Sequence, residues 1–370
     1  MPFAADCAPT ATDSHTGPTQ AAPTRLGPAH AAPAGAATPS LPAHVPLAVQ
    51  TRGGVVEGVH YGSVAATASD GSLLTSAGDP RAAFFPRSAL KPLQAVALVR
   101  AGLNVPAELL ALAAASHSGA PEHRRGALRI LALHGLDVSA LENTPDLPYG
   151  AAEREAWLRS GGHADRVCQN CSGKHAAMAA VCTLNGWSVA GYLDPAHPLQ
   201  QLVAATVSEL TGERPSAWTT DGCGTPLPAM SLTGMARAYG TLARAGANDD
   251  DARPGAEAAV ARAMAAHPHM VAGEGRDVVR LMRLLPGAVA KDGFEGVQLV
   301  GLPDGRAVAV KISDGGDRAR MPVAVRALKA LGVVEAAPGG ALSVLAESPV
   351  LGGGRPVGTF AALESAFSNS

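Results

Sequence analysis

Strand-like runs stand at both ends of the ordered chain and helix-spaced apolar residues fill the stretch between them, which leaves few folds open. Val45 to Gln50, Gly54 to His60 and Ser63 to Ala68 carry the pattern of strands, and Asp70-Gly71 marks a hairpin turn before Leu73-Leu74. After the Phe84-Phe85-Pro86 loop, Ser88 opens a helix with apolar Leu90, Leu93, Val96 and Ala97 that ends at Gly102. Pro92 falls in its first turn, where a missing N–H costs little. Helical spacing continues through Pro106 to Ala115, Pro121 to His134, Gly173 to Leu184, Pro198 to Leu210, Met230 to Ala245 and Ala256 to Ala266. Asn248 to Pro254 reads as an acidic loop. Strands return at Val297 to Leu302 and Arg306 to Ile312 around the Pro303-Asp304-Gly305 turn, and Met321 to Leu331 is a closing helix. This order predicts an α+β fold, an antiparallel sheet with flanking helices and a helical lobe, formed as one domain over residues 45–370. No internal repeat is visible.

The first 44 residues differ in kind. Met1 to about His44 is crowded with Ala, Pro and Thr, and it lacks the basic n-region and apolar h-region of a secretory peptide. Such a segment cannot bury enough apolar surface to offset its ordering entropy, so it is expected to be disordered and the chain to be cytoplasmic. The formal net charge of -2 gives no electrostatic footprint for nucleic acid. No apolar run approaches the ~18 residues of a membrane span.

Several short segments could carry chemistry. Ser88-Ala89-Leu90-Lys91 places a hydroxyl and an amine on one helix face, at a helix N-terminus that favours developing negative charge. A lysine whose pKa is lowered by burial and neighbouring positive charge can activate a serine, which is otherwise a poor nucleophile. The bland alternative is a serine cap with a solvent-facing lysine, but the segment is otherwise apolar. Ser116-His117-Ser118-Gly119 ends the small, apolar Leu109 to Ala115 helix and could cap, turn or react. His117 beside a candidate nucleophile keeps a conventional Ser/His base open. Lys291-Asp292-Gly293 resembles the K-x-G edge element of penicillin-recognising enzymes, although the same residues suit a turn with a surface lysine. Asp221-Gly222-Cys223-Gly224 could hold a substrate amino group, orient a lysine or form an Asx-type turn.

The five cysteines, Cys7, Cys168, Cys171, Cys182 and Cys223, form an odd, clustered set rather than a disulfide framework. A Cys171–Cys223 disulfide is the competing reading. Cys168-x-x-Cys171 reads as half a zinc knuckle, but no second pair follows, so a four-cysteine site is excluded. A redox pair lacks its βαβ context. Any metal site therefore needs another ligand type or an open position, and Lys174 and His175 are nearest.

Taken together these segments resemble the class 3, rhizobial-type L-asparaginases (the asparaginase II family). The resemblance spans roughly Leu47 to Gly358. It rests on Arg87-Ser88-x-x-Lys91-Pro92, Ala115-Ser116-His117-Ser118, Asn170-Cys171-Ser172-Gly173-Lys174-His175, Asp221-Gly222-Cys223 and the run from His267-Pro268 through Met270 to Gly275-Arg276. It implies a fold similar to that of serine β-lactamases and glutaminases. It also implies tandem pairs, Ser88 with Lys91 and Ser116 with Lys291, and substrate binding by Asp221, His117, Arg87 and Arg276. A Zn²⁺ held by Cys171, Lys174 and Cys223 would tune affinity rather than supply the nucleophile, with Cys168 and His175 as neighbours. The chain departs in its long N-terminal extension, in Gly224-Thr225 and in the Lys291-to-Gly296 stretch.

The expected reaction is acyl transfer. Lys91 deprotonates Ser88, Ser88 attacks the side-chain amide of L-asparagine, Ser116 and Lys291 relay a proton to ammonia, and water frees aspartate. A homodimer is expected from the resemblance. The rivals are a penicillin-recognising or D-amidase enzyme, a glutaminase whose substrate differs by one methylene worth only ~1–3 kcal/mol, and a non-enzymatic zinc-binding structural or sensor protein.

Overall fold

The computed structural model describes residues 41–248, 254–333 and 342–367. Residues 1–40 lie outside the described set, as does most of the Asn248 to Pro254 loop, and residues 41–44 carry neither helix nor strand. The strands are β1 (Val45–Arg52), β2 (Val55–Thr67), β3 (Leu73–Ala77), β4 (Ala83–Phe84), β5 (Ala217–Thr220), β6 (Pro226–Ser231), β7 (Val289–Gly293), β8 (Val297–Gly301), β9 (Ala307–Ile312), β10 (Glu347–Gly352) and β11 (Arg355–Ala362). The helices are α1 (Lys91–Arg100), α2 (Ala107–Ala113), α3 (Pro121–Leu133), α4 (Ala151–Arg159), α5 (Ser172–Leu184) and α6 (Pro198–Thr211) in the first half of the chain. The second half adds α7 (Leu232–Asn248), α8 (Ala256–Ala266), α9 (Pro268–Val271), α10 (Asp277–Leu284), α11 (Asp317–Ala330) and α12 (Ser343–Ala346).

The main sheet has the order β10-β11-β1-β2-β9-β8-β7 with β3 on β2, and its pairings are antiparallel. A small sheet has the order β4-β6-β5. β7 and β8 are buried along their whole length and β9 nearly so, because α7 and α11 both pack on this part of the sheet. Strands covered on both faces read as continuous apolar runs rather than alternating ones. The helical lobe centres on α1 and α5. Each is buried around its circumference, α1 from Lys91 to Leu98 and α5 from Ser172 to Cys182. A helix buried all round cannot send a charged side chain to water, so any lysine on it must be satisfied inside the protein. No helix among the described residues is long and apolar enough to cross a membrane.

The α+β expectation with its antiparallel sheet and helical lobe agrees with this architecture. The differences have local causes. Gly54 to His60 and Ser63 to Ala68 read as two strands but form the single β2. Gly62, in the gap between those two ranges, is where β9 and β1 crowd the strand: a Cβ there would lie 2.3 Å from the Lys311 carbonyl oxygen and 2.8 Å from Leu47 Cδ1. Met230 belongs to β6 rather than to the helix that follows. β6 itself gave no strand signal because of Pro226 and Pro228. Both lie where β6 pairs with β5 alone, an edge setting that tolerates a missing N–H. The Ser88 helix begins as a 3-10 turn, Arg87–Leu90, before α1.

The β2 glycines give a paired test. Gly62→Ala is expected to destabilise by about 1–3 kcal/mol through overpacking. Gly58→Ala, whose nearest contact would be 4.0 Å away, is expected to be neutral or slightly stabilising. Thermal denaturation of the two variants beside the parent protein measures both.

Candidate active site

The Arg87–Leu90 turn and the end of β7 meet at close range. A Cβ on Gly293 would lie 2.4 Å from the Pro86 carbonyl oxygen and 3.3 Å from the Ala89 nitrogen, so only glycine lets the strand reach the turn. This contact brings Lys291-Asp292-Gly293 beside Ser88. From the other side the Ser116–Ser118 segment enters the site, pinned by Ser116 N–H to the Val271 carbonyl at 2.9 Å and His117 N–H to the Asn170 carbonyl at 3.1 Å. Together these segments wall a cavity of 250 Å³ that Ser88, Ser116, Tyr149, Asn170, Arg276 and Asp292 line, with Phe294, Glu295 and Asp317 at the same wall. The volume suits a small amino acid.

Two lysines stand behind the wall, Lys91 at 1% and Lys291 at 0% exposure. Lys91 lies one turn from Ser88 in sequence, but its Nζ donates to Ser116 Oγ at 2.8 Å and to the Ala115 carbonyl at 2.6 Å. The Ser88 hydroxyl has no hydrogen bond to a protein group among the described residues. Lys291 Nζ donates to Asp292 Oδ1 at 2.6 Å and to the Asp292 carbonyl at 2.9 Å. Burial, helped by the charges of Lys91 and Arg276 and opposed by Asp292, lowers the Lys291 pKa to about 8. Burial alone would raise the Asp292 carboxyl, but Lys291, Arg276 and Arg320 hold it well below the usual carboxylate range. The structure therefore joins Lys91 to Ser116 by hydrogen bond and leaves Ser88 open to the cavity.

Arg276 is on the cavity wall, and its guanidinium donates to the Ser116 carbonyl at 2.8 Å and to Asp292 Oδ2 at 2.5 Å. These two bonds leave donors of its five N–H groups for a ligand. Arg87 reaches the other way. Its Nε donates to Asp221 Oδ1 at 2.7 Å and its guanidinium lies 5.7 Å from the Phe294 ring centroid. Asp221 thus holds an arginine and is not on the cavity wall. His117 is set behind the wall as well, fully buried, with Nε2 2.9 Å from Ser172 Oγ and its ring stacked on His123 at 5.0 Å. Burial, with His123 and Lys91 nearby, drives its pKa well below 6.5, so it is a neutral support for the Ser116 segment.

The thiols form a second cluster at the start of α5. Lys174 Nζ donates to Cys223 Sγ at 3.1 Å and Thr225 Oγ1 at 2.9 Å, and the Cys171 thiol donates to Asn170 Oδ1 at 3.2 Å. The approach of Cys171, together with the Lys174 charge and the neighbouring His175, depresses the Cys223 pKa against the pull of burial, while the same contact and burial push Cys171 up. Tyr192 Oη accepts from the Glu142 N–H at 3.0 Å and lies 2.7 Å from His175 Nδ1, to which we assign its proton. That assignment leaves the proton of His175 on Nε2. Nε2 is buried beside Cys223 and has no hydrogen-bond partner. Two thiols and a buried amine make a donor set that fits a soft metal such as zinc, with His175 beside it as a neighbour. No group of three or more His, Cys, Asp or Glu able to hold a metal occurs among the described residues, so a metal at these thiols would need Lys174 as its third donor. Burial opposes its charge but Cys223, Cys171 and Asp221 raise its pKa, and a metal would displace that proton. Cys168 lies apart, its thiol on Asp165 Oδ2 at 3.4 Å. The four described cysteines are free, so the Cys171–Cys223 disulfide is not formed.

Sequence reasoning passed over Tyr149 and Phe294, whose rings meet edge to face at 5.5 Å over the cavity, and it passed over Arg320 and Asp317. The available signal for the first two was the rarity of aromatics, 4% of the chain, which makes an exposed ring in a loop conspicuous.

A profile of the family described as L-asparaginase II matches residues 48–362. No curated protein matches the chain. Among solved structures, the chain is similar to Mglu at 15% identity and a TM-score of 0.33, over 73% of this chain and 67% of that one. A β-lactamase from Mycobacterium bovis is similar at 16% identity and a TM-score of 0.34, over 74% of this chain and 95% of that one. A putative β-lactamase from Bacteroides dorei is similar at 13% identity and a TM-score of 0.38, over 71% and 91%. The chain spans about two thirds of the length of Mglu.

The pKa of Lys291 has a stability consequence. Between about pH 8 in the folded protein and ~10.4 in the unfolded chain, the unfolded state binds more protons, so stability rises with pH across that window. Relative to Lys291→Met, the parent protein is expected to gain on the order of 3 kcal/mol over this range. Urea denaturation of both proteins at pH 8 and pH 10.4 checks it, and an equal pH response would show that Lys291 titrates as a free lysine.

Proposed function

We propose, from the premise that this chain belongs to the L-asparaginase II family, that it hydrolyses the side-chain amide of L-asparagine to aspartate and ammonia through an acyl-enzyme on Ser88. The observation that carries this reading is the cavity itself: an unengaged serine hydroxyl facing 250 Å³ of polar space, backed by two fully buried lysines. Family membership supports an amidohydrolase; the substrate and the serine assignment are this proposal.

The zwitterionic end of the substrate binds in the charged part of the cavity. Arg276 offers its remaining N–H groups to the α-carboxylate, and Asp317 faces the ammonium. Ser88 Oγ then adds to the amide carbon. In this reading Lys291 is the proton acceptor of the site, supported by its pKa of about 8, which leaves the neutral amine well populated in mild alkali. Lys91 fixes Ser116, which relays the proton that Lys291 took from Ser88 to the departing nitrogen. Water cleaves the ester to finish the cycle. Cys171, Lys174 and Cys223 would hold the zinc ion, with His175 supporting Cys223. When bound, zinc supplies a fixed positive charge and rigidity at the base of Asn170. The same reading carries a homodimer in the cytoplasm, with sedimentation velocity as the check on the dimer.

Ammonia release from L-asparagine and L-glutamine tests the proposal. Asparagine turnover is expected, with kcat/KM rising with pH through an apparent pKa near 8 as Lys291 loses its proton. Ser88→Ala is expected to lower kcat by roughly 10³-fold or more, and Ser116→Ala by roughly 10²–10⁴-fold. Near-normal turnover in Ser88→Ala with none in Ser116→Ala would exchange the two serines. No ammonia from either substrate, with folded and zinc-supplied protein, would defeat the reading.

Zinc is tested separately by metal analysis after dialysis. About one zinc per chain is expected in the parent protein and far less in Cys223→Ser. Equal and negligible zinc in both would remove the metal from the proposal.

A further inference from the structure

A second cavity, of 520 Å³, adjoins the first at Glu295, which lines both; Arg87 stands on the wall of the second and Phe294 on the wall of the first. Arg87 and Glu295 are also the two non-glycine residues with left-handed backbone among the described residues, Arg87 at φ 53° and Glu295 at φ 65°. Such conformations cost of the order of 1–3 kcal/mol each and persist where the surroundings impose them, commonly at functional sites. The partition is made of side chains: Arg87 spans from Asp221 to the face of Phe294, and Phe294 is 42% exposed. A cation–π contact at such an exposed site is worth only ~0.5–1 kcal/mol, so a ligand can displace it.

The second cavity differs in chemistry from the first. Ala83, Phe84, Phe85, Leu227 and Leu232 line it. Several of its polar groups already have protein partners. His44 Nδ1 is 2.9 Å from Ser63 Oγ, Asp79 accepts the Arg81 and Ala82 N–H groups at 3.0 Å, and Lys311 donates to the Glu295 and Ile312 carbonyls at 2.5 and 2.7 Å. An occupant therefore gains most by being apolar. The charged end of an amino-acid substrate belongs with Arg276 and Asp317, so the amide nitrogen falls on the Arg87 side of Ser88, toward this cavity.

We propose that the 520 Å³ cavity is a subsite for an apolar substituent on the nitrogen of the scissile amide, so that the protein cleaves N-aryl and N-alkyl β-amides of aspartate as well as the primary amide. The inference rests on the acyl-enzyme reading above. Ser88 Oγ bonds to the β-carbonyl carbon as its proton passes to the site's amine. The C–N bond then breaks, and the nitrogen leaves with that proton as a neutral primary amine. Water afterwards places its hydroxyl on the acyl carbon and returns a proton to Ser88, giving aspartate.

The test compares L-asparagine with the β-anilide of L-aspartate, following ammonia and aniline. Two variants fill the subsite from exposed positions outside the catalytic groups: Ala83→Trp on β4 and Thr219→Trp on β5. The parent protein is expected to hydrolyse both substrates. At least one variant is expected to lose tenfold or more in kcat/KM for the anilide while staying within twofold for asparagine. Turnover of asparagine without the anilide overturns this inference and leaves the parent reading standing. Anilide turnover that both variants leave unchanged, or that falls only in step with asparagine, overturns it as well. No turnover of either substrate defeats the parent reading and this inference with it.

Discussion

Three amines held almost completely out of water organise this protein: Lys91, Lys174 and Lys291, none more than 1% exposed. An ammonium buried without partners costs far more than a fold of this size can offset, so each dictates its surroundings. Lys91 requires the Ala115 carbonyl and the Ser116 hydroxyl, which fixes the segment after α2 against α1. Lys174 requires Cys223 and Thr225, which ties the start of α5 to the loop before β6. Lys291 requires Asp292, and Asp292 in turn takes Arg276. Arg276 then reaches back to the Ser116 carbonyl, so the first and third amines are linked through one guanidinium. Satisfying the lysines and assembling the cavity are the same structural event.

The mutual proximity of these cations also explains their chemistry. Lys291 has its own carboxylate within 2.6 Å, yet burial and two neighbouring positive charges still lower its pKa. Asp292 responds oppositely, because the charges that act on it most, Lys291, Arg276 and Arg320, are positive. One buried pair therefore contains an amine that gives up its proton readily and a carboxylate that does not accept one. A base poised near neutrality needs that separation, since a carboxylate that took up the proton would end the pair.

How much of this was legible in the sequence follows from what each residue touches. The α+β order, the six helices of the middle and the β8–β9 hairpin were readable because periodicity and turn residues are local signals. The segments holding Ser88, Ser116, Cys171, Lys174, Cys223, Arg276 and Lys291 were readable because spacing preserves them. Partner choice was not: S-x-x-K puts Lys91 one turn from Ser88, while the hydrogen bond goes to Ser116, 25 residues on, because α2 delivers that hydroxyl to the buried end of Lys91. The role of His117 was equally hidden, since a histidine between two serines looks the same whether it faces a cavity or Ser172. β7 lacked a strand signal of its own, as its Lys291-Asp292-Gly293 end suits a turn until the close approach to Pro86 is known.

The thiol cluster and the cavity are separate in sequence but share Asn170. Its side chain lines the cavity, its Oδ1 accepts the Cys171 thiol proton, and its carbonyl accepts the His117 N–H beside Ser116. Ser172, two residues on, closes the loop through the His117 ring. If the Cys171 thiol loses its proton, Asn170 Oδ1 loses its donor, and the amide on the cavity wall is freed to turn while its backbone stays tied to the Ser116 segment. A group bound at the cysteines would therefore act on the orientation of a cavity side chain rather than on the reacting carbonyl.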